Sequence, residues 1–146
     1  MVLVLVPQVT AADEPIFVAG AKLSVLAAGD TAGEGPAWDS QLGILTSGAG
    51  NINRFDLKGT STVYRKGAGT NGLLFDRDGS LLCCEPKNRR VTRLSRDGKL
   101  SVLTDRYEGK RYNTPNDITV DSKGSVYLSD PRYGPRNDMQ LREADG

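Results

Sequence analysis

The chain has 146 residues, a formal net charge of +1 and no histidine. The balanced charge offers no basic stripe for nucleic acid, and no stretch approaches the roughly 20 apolar residues that span a bilayer. The absence of histidine removes Ser-His-Asp and Cys-His catalysis and His-ligated zinc from these 146 residues. Glycine is abundant, 17 residues or about 12% against a usual share of about 7%. In chain order, residues 1–11 open on the Val/Leu run of residues 2–6 and reach Val9-Thr10-Ala11, a small-residue cleavage pattern. That reads as the remnant of a secretory signal peptide whose basic start is missing. It predicts export to the periplasm or the medium. The competing reading is an ordinary edge strand of a cytoplasmic protein. Residues 12–146 then form the folded domain.

From residue 34 onward the chain repeats itself. Asn71-Gly72-Leu73-Leu74-Phe75-Asp76 and Asn116-Asp117-Ile118-Thr119-Val120-Asp121 stand 45 residues apart, and the match continues through the Gly79 and Gly124 turns to Cys84-Glu85-Pro86 and Ser129-Asp130-Pro131. A looser copy, Glu34-Gly35-Pro36-Ala37-Trp38-Asp39, lies 37 residues before the first of these. Each copy reads as strand, glycine turn, strand, loop, strand, polar turn, strand. The first closes on a Lys58-Gly59 turn and Ser61–Tyr64, the second on an Asp97-Gly98 turn and Leu100–Leu103. Asp-Gly between short alternating runs is a strong hairpin signal. No convincing helix is found. A unit of about 40–45 residues holding four antiparallel strands marks a β-propeller blade. The fold class is therefore all-β, a partial propeller with about three four-stranded blades.

In such a fold the first strand of each blade is innermost. Residues at equal repeat positions converge on the axis, so Glu34, Asn71 and Asn116 are expected to share one point. Three oxygen-bearing groups, one of them a carboxylate, are costly to bury without a partner. The second strand of each repeat returns to the same rim, which makes Glu85, Arg132 and Tyr133 candidates for holding a hydroxylated substrate. Cys83 and Cys84 are adjacent, so on a strand they face opposite sides. They read as two small buried residues, with a vicinal disulfide or redox switch as the alternative. Gly67–Gly72 matches G-x-G-x-x-G, but a hairpin follows where a dinucleotide site needs a helix. Asp76-Arg77-Asp78-Gly79 hints at a calcium loop, but Lys87 stands where the EF-hand glutamate belongs, so a plain turn is preferred. Arg89, Arg90 and Arg93 read as a solvated strand edge that discourages pairing.

The stretches GEGPAW from Gly33, NGLLFDRDGSLL, RRVTRL and GKRYNTPNDITVDSKGSVYLSDPRYG together resemble the senescence marker protein / gluconolactonase / luciferin-regenerating-enzyme family, above all its bacterial gluconolactonase-like members. The resemblance implies a six-bladed propeller with one divalent ion in the central channel, of which this chain is the N-terminal half. It implies that Glu34 and Asn116 are metal ligands, Asn116 alternatively a substrate contact beside the metal. The remaining ligands and the general base would then lie beyond Gly146. Leu45–Gly50 lacks an aspartate that the family often carries there, so the first blade's contribution to the pocket is altered. Oxygen-only donors suit Ca²⁺, with Mg²⁺, Mn²⁺ and Zn²⁺ as alternatives. Asp117 is expected to orient Asn116 or nearby backbone rather than bind metal itself. The activity implied is hydrolysis of a small sugar lactone or ester. The alternatives are phosphotriester hydrolysis at the same site and a non-catalytic scaffold that binds a ligand or protein. Open blade edges of a half ring would favour self-association.

Overall fold

Alternating apolar runs closed by glycine turns become strands throughout this chain. A computed structural model describes residues 18–22, 25, 33–56 and 58–133. The expected signal remnant at residues 1–11 lies outside the described residues, as do residues 134–146. Strands β1 (Glu34–Asp39), β2 (Gly43–Gly48), β3 (Asn51–Phe55) and β4 (Ser61–Arg65) form one antiparallel sheet in chain order. Strands β5 (Leu73–Phe75), β6 (Leu81–Glu85), β7 (Arg90–Leu94) and β8 (Leu100–Thr104) form a second sheet of the same design. A small hairpin follows, β9 (Arg106–Tyr107) with β10 (Lys110–Arg111), and then the pair β11 (Ile118–Val120) and β12 (Val126–Leu128) opens a third repeat. Among the described residues there is no α-helix, only a 3-10 turn at Pro86–Asn88. The all-β, propeller-like reading holds. The β9–β10 hairpin is an addition that the repeat pattern did not predict.

One turn recurs four times. The backbone N–H of Gly59, Gly79, Gly98 and Gly124 donates to the carbonyl three residues earlier. Residues 56, 76, 95 and 121 donate in turn to the carbonyl four residues later. Each of these glycines has φ near +80°, the left-handed value that closes a type I turn with a bulge. Asp76-Arg77-Asp78-Gly79 is therefore a turn, and Arg93 on β7 reaches both Asp76 and Asp78, at 3.1 and 2.5 Å.

The sheets stack face to face. Ala37, Leu45, Ile52, Leu73, Leu81 and Cys83 form a cluster between the first and second sheets. Leu82, Cys84, Val91 and Ile118 form another between the second sheet and the third repeat. All of β6 is buried because it is covered on both faces, while β4 and β8 are largely exposed. Cys83 and Cys84 do point to opposite sides, both are free thiols, and burial pushes both up to about 12. Cys83 packs in the first apolar cluster and Cys84 in the second, as small buried residues do.

The arginines require a correction. Arg90 pairs with Glu85, Arg93 with two aspartates, and Arg89 donates to the Tyr112 carbonyl. β7 lies inside its sheet, so these residues are not a solvated edge. Their long side chains instead tie β7 to the loops around it.

Candidate functional site

The site is built by a backbone device at the mouth of each inner strand. The Asn71 N–H donates to the Cys84 carbonyl, and the Cys84 N–H donates back to the carbonyl of Gly72, so two residues oppose one. Asn116 and Asp117 oppose Ser129 in the same way. In the first repeat the register slips between Glu34 and Ala37. Each is a β-bulge, which bends the strand and re-aims a side chain. That is why adjacent polar or small residues stand where pure packing would be expected.

The bulges also bring the repeats together. β1 packs on β5, and β5 on β11. A Cβ on Gly35, whose φ is +58°, would sit 2.2 Å from the Asn71 carbonyl oxygen. One on Gly72 would sit 2.6 Å from the Asn116 oxygen, which accepts the Gly72 N–H at 2.6 Å. Only glycine permits that approach. Ser47 adds a polar latch between the first two sheets: its hydroxyl donates to the Asn71 carbonyl at 2.6 Å and lies 2.8 Å from Thr70 Oγ1.

Around these contacts lies a cavity of about 340 Å³. Glu34, Asn71, Asn116 and Asp117 line it together, with Pro36, Leu73, Leu74 and Ile118 as apolar wall. Three successive repeats thus contribute carboxylates and carboxamides to one space. Asp117 is anchored at its backbone, its N–H donating to Ser129 Oγ at 3.1 Å, while its Oδ1 accepts the Ile118 N–H at 2.9 Å. The described residues contain no group of three or more His, Cys, Asp or Glu placed to hold a metal ion by themselves.

Glu85, Arg132 and Tyr133 stand outside this cavity. Glu85 is fully buried, and its carboxylate accepts from Arg65 at 3.1 Å, Arg90 at 2.7 Å, Asn88 at 2.8 Å and Thr92 at 2.9 Å. Every lone pair it offers is already used, so it is a staple and not a substrate contact. Tyr133 is exposed and Arg132 half-buried at the last described residues. Two residues that hold the site escaped the sequence reading. Asp130 accepts the backbone N–H groups of Asn113 and Thr114, each at 2.8 Å, and so fixes the segment leading to Asn116. Ser47 latches Asn71. Both occupy repeat positions already marked by Glu85 and Cys84, and that alignment was the signal available.

The family model described as SMP-30/Gluconolactonase/LRE-like region matches residues 32–144. A gluconolactonase of Zymomonas mobilis is 36% identical over 78 residues, 53% of this chain and 21% of that protein. The solved gluconolactonase of Xanthomonas campestris is similar at 36% identity and a TM-score of 0.63, covering 67% of this chain and 34% of that one. A second solved structure, provisionally described as a gluconolactonase, matches at 30% identity and a TM-score of 0.74 over 80% of this chain and 42% of its own. Virginiamycin B lyase of Staphylococcus aureus, at 20% identity and a TM-score of 0.54, shares the fold alone. The chain spans well under half the length of each of these relatives.

Proposed function

Since the chain belongs to the SMP-30/gluconolactonase/LRE-like family, we propose that it supplies half of the active site of a metal-assisted lactone hydrolase on a six-bladed propeller. One observation carries the reading: inner strands of three successive repeats place Glu34, Asn71, Asn116 and Asp117 on a single cavity. The lining offers oxygen donors only, with no sulfur or imidazole, and that chemistry fits a hard cation of the calcium type. Glu34 and Asn116 would hold it. When bound, such an ion supplies polarisation of a lactone carbonyl.

The chain's own residues account for the rest of the binding. The Asn71 and Asn116 carboxamides both donate and accept, which suits the ring hydroxyls of a sugar lactone. Asp117 keeps the bulge and Asn116 in place through its bonds to Ser129 and Ile118. Leu73, Leu74 and Ile118 form a dry wall that strengthens each polar contact. No described residue is assigned as the general base.

The test is hydrolysis of gluconolactone by the protein at its full natural length, with and without a calcium chelator. Activity abolished by the chelator and restored by Ca²⁺ is expected. Calcium titration by calorimetry should show Glu34→Gln weakening the ion by at least about tenfold, that is about 1.4 kcal/mol. Unchanged calcium affinity in Glu34→Gln would overturn the ligand assignment. Chelator-insensitive hydrolysis would overturn the metal.

A further inference from the structure

The second repeat is longer than the first, and the strand pairings locate the excess. β2 and β3 are joined by residues 49–50, whereas β6 and β7 are joined by residues 86–89. β4 reaches the next bulge through residues 66–70, whereas β8 reaches Asn116 through residues 105–115, which contain the β9–β10 hairpin. In a four-stranded antiparallel meander both connections lie at the end where the first strand begins. Both insertions therefore rise from the rim that carries Asn71 and Asn116.

The two insertions are braced against each other. Arg89 donates to the Tyr112 carbonyl at 2.5 Å and to the Arg111 carbonyl at 3.4 Å, and Arg111 donates to the Asn88 carbonyl at 2.9 Å. The Tyr112 hydroxyl lies 2.9 Å from Thr104 Oγ1. A hairpin fixed in this way is a wall, not a loose loop. Between it and the third repeat lies a second cavity of about 400 Å³, a size usual for small-molecule sites.

The lining of this cavity identifies a class of ligand. Lys110 and Arg111 are matched by Glu108 and Asp130, so the space has no net charge to attract an anion or a cation. Tyr107 is 69% exposed and offers a ring face. Asn113 also lines the cavity, its Nδ2 donating to Asp130 at 3.2 Å. Charge-balanced polar groups beside an exposed aromatic ring suit a neutral ligand whose ring carries hydroxyl groups and can stack. Asn113 and Asn116 are three residues apart, so their Cα atoms are at most about 10 Å apart, and the two cavities flank the same short segment.

We propose that this second cavity is a subsite for an additional sugar ring, carried on the lactone bound beside Asn116. The placement of the lactone rests on the function proposed above; the subsite itself rests on the hairpin. It makes the hairpin a determinant of substrate length, with Tyr107 as stacking platform and the exposed Glu108 and Lys110 as hydrogen-bond partners for ring hydroxyls.

The test separates the two readings by measuring binding as well as turnover. Calorimetric titration of the full-length protein compares a disaccharide aldonate with the matching monosaccharide aldonate, both unable to react. The disaccharide is expected to bind about tenfold more tightly, and Tyr107→Ala to erase that difference while leaving the monosaccharide unchanged. Tyr107 is solvent-exposed, and an unaltered thermal melt checks that the variant folds. Equal affinity for both aldonates, or a preference that survives Tyr107→Ala, overturns the subsite. Tight disaccharide binding without hydrolysis of any lactone keeps the subsite and overturns the hydrolase. Hydrolysis of both lactones with no preference does the reverse.

Discussion

The first two repeats have the same strand order and the same turns, yet they end their second strands in opposite ways. Gly48 stands in the first where Glu85 stands in the second, each paired with the residue that opens the following strand. After Gly48 the chain reverses through Ala49 and Gly50 alone, both with positive φ, and the Gly48 carbonyl accepts from Asn53 Nδ2 at 3.2 Å. After Glu85 it makes a four-residue excursion, and the carboxylate grips that excursion through Asn88, its far foot through Arg90, and the neighbouring sheet through Arg65. The longer loop is thus tied to a buried acid. A tight hairpin is held by backbone geometry and one neutral carboxamide, while the longer loop is held by a charged anchor beneath it.

Removing the anchor breaks the comparison most severely. Glu85→Ala leaves Arg65, Arg90 and Thr92 without the group they surround. Both arginines retain partial solvent access, so the loss is expected at the low end for a broken buried pair, about 3 kcal/mol. A urea midpoint measured against wild type checks it. Acid should reproduce part of this loss. Burial alone would raise the Glu85 carboxyl, but hydrogen bonds from Asn88, Arg90 and Thr92, with the Arg90 charge, together hold it below its ordinary 4.5. A depressed acid contributes its full stability above the unfolded value and loses it as pH falls through the folded one. Stability should therefore decline below about pH 4.5, and Glu85→Gln should flatten part of that decline. The remainder belongs to Asp39 and the turn aspartates, which backbone N–H groups and neighbouring side chains also hold low.

The next test concerns the contact that both repeats share. Gly35→Ala adds a methyl against the Asn71 carbonyl at a backbone angle that suits glycine, and should cost about 2 kcal/mol. Gly72→Ala meets the Asn116 carbonyl without the penalty of positive φ, so it should cost less. Both should also widen the cavity between the inner strands, and weaker calcium binding in titration would report it. If Gly35→Ala melts like wild type, the close approach of β1 and β5 does not hold the site.

Most of the frame was legible because the repeat is written in residues with strict demands. Glycine at four turns, apolar alternation and the Asn-Gly and Asn-Asp pairs fixed strand order, and placed Glu34, Asn71, Asn116 and Asp117 near one another. The opposite facing of Cys83 and Cys84 followed from strand period alone. What stayed hidden depended on partners distant in sequence. Nothing local to Glu85 distinguishes a substrate contact from a buried staple; the difference lies in Arg65, twenty residues away on another sheet. The spacing of 37 against 45 showed that the second repeat is longer. It could not say that the excess divides between two loops that meet through Arg89.

The smallest expected effect separates the two inter-sheet seams. Ser47, Cys84 and Ser129 hold equal positions, but only Ser47 bonds across to the next repeat, through the Asn71 carbonyl. Cys84 packs among Leu82, Val91 and Ile118, and Ser129 bonds within its own repeat. Ser47→Ala should cost about 1 kcal/mol, the usual net worth of one hydrogen bond. Ser47→Cys should not recover it, because a thiol is a weak donor. At the second seam the order reverses: Cys84→Ser buries a hydroxyl among apolar side chains and should be destabilising, while Cys84→Ala should be milder. Thermal melts of the four variants decide it. If serine and cysteine are interchangeable at both positions, the seams are alike, and the polar latch beside Asn71 is incidental to holding the first repeat against the second.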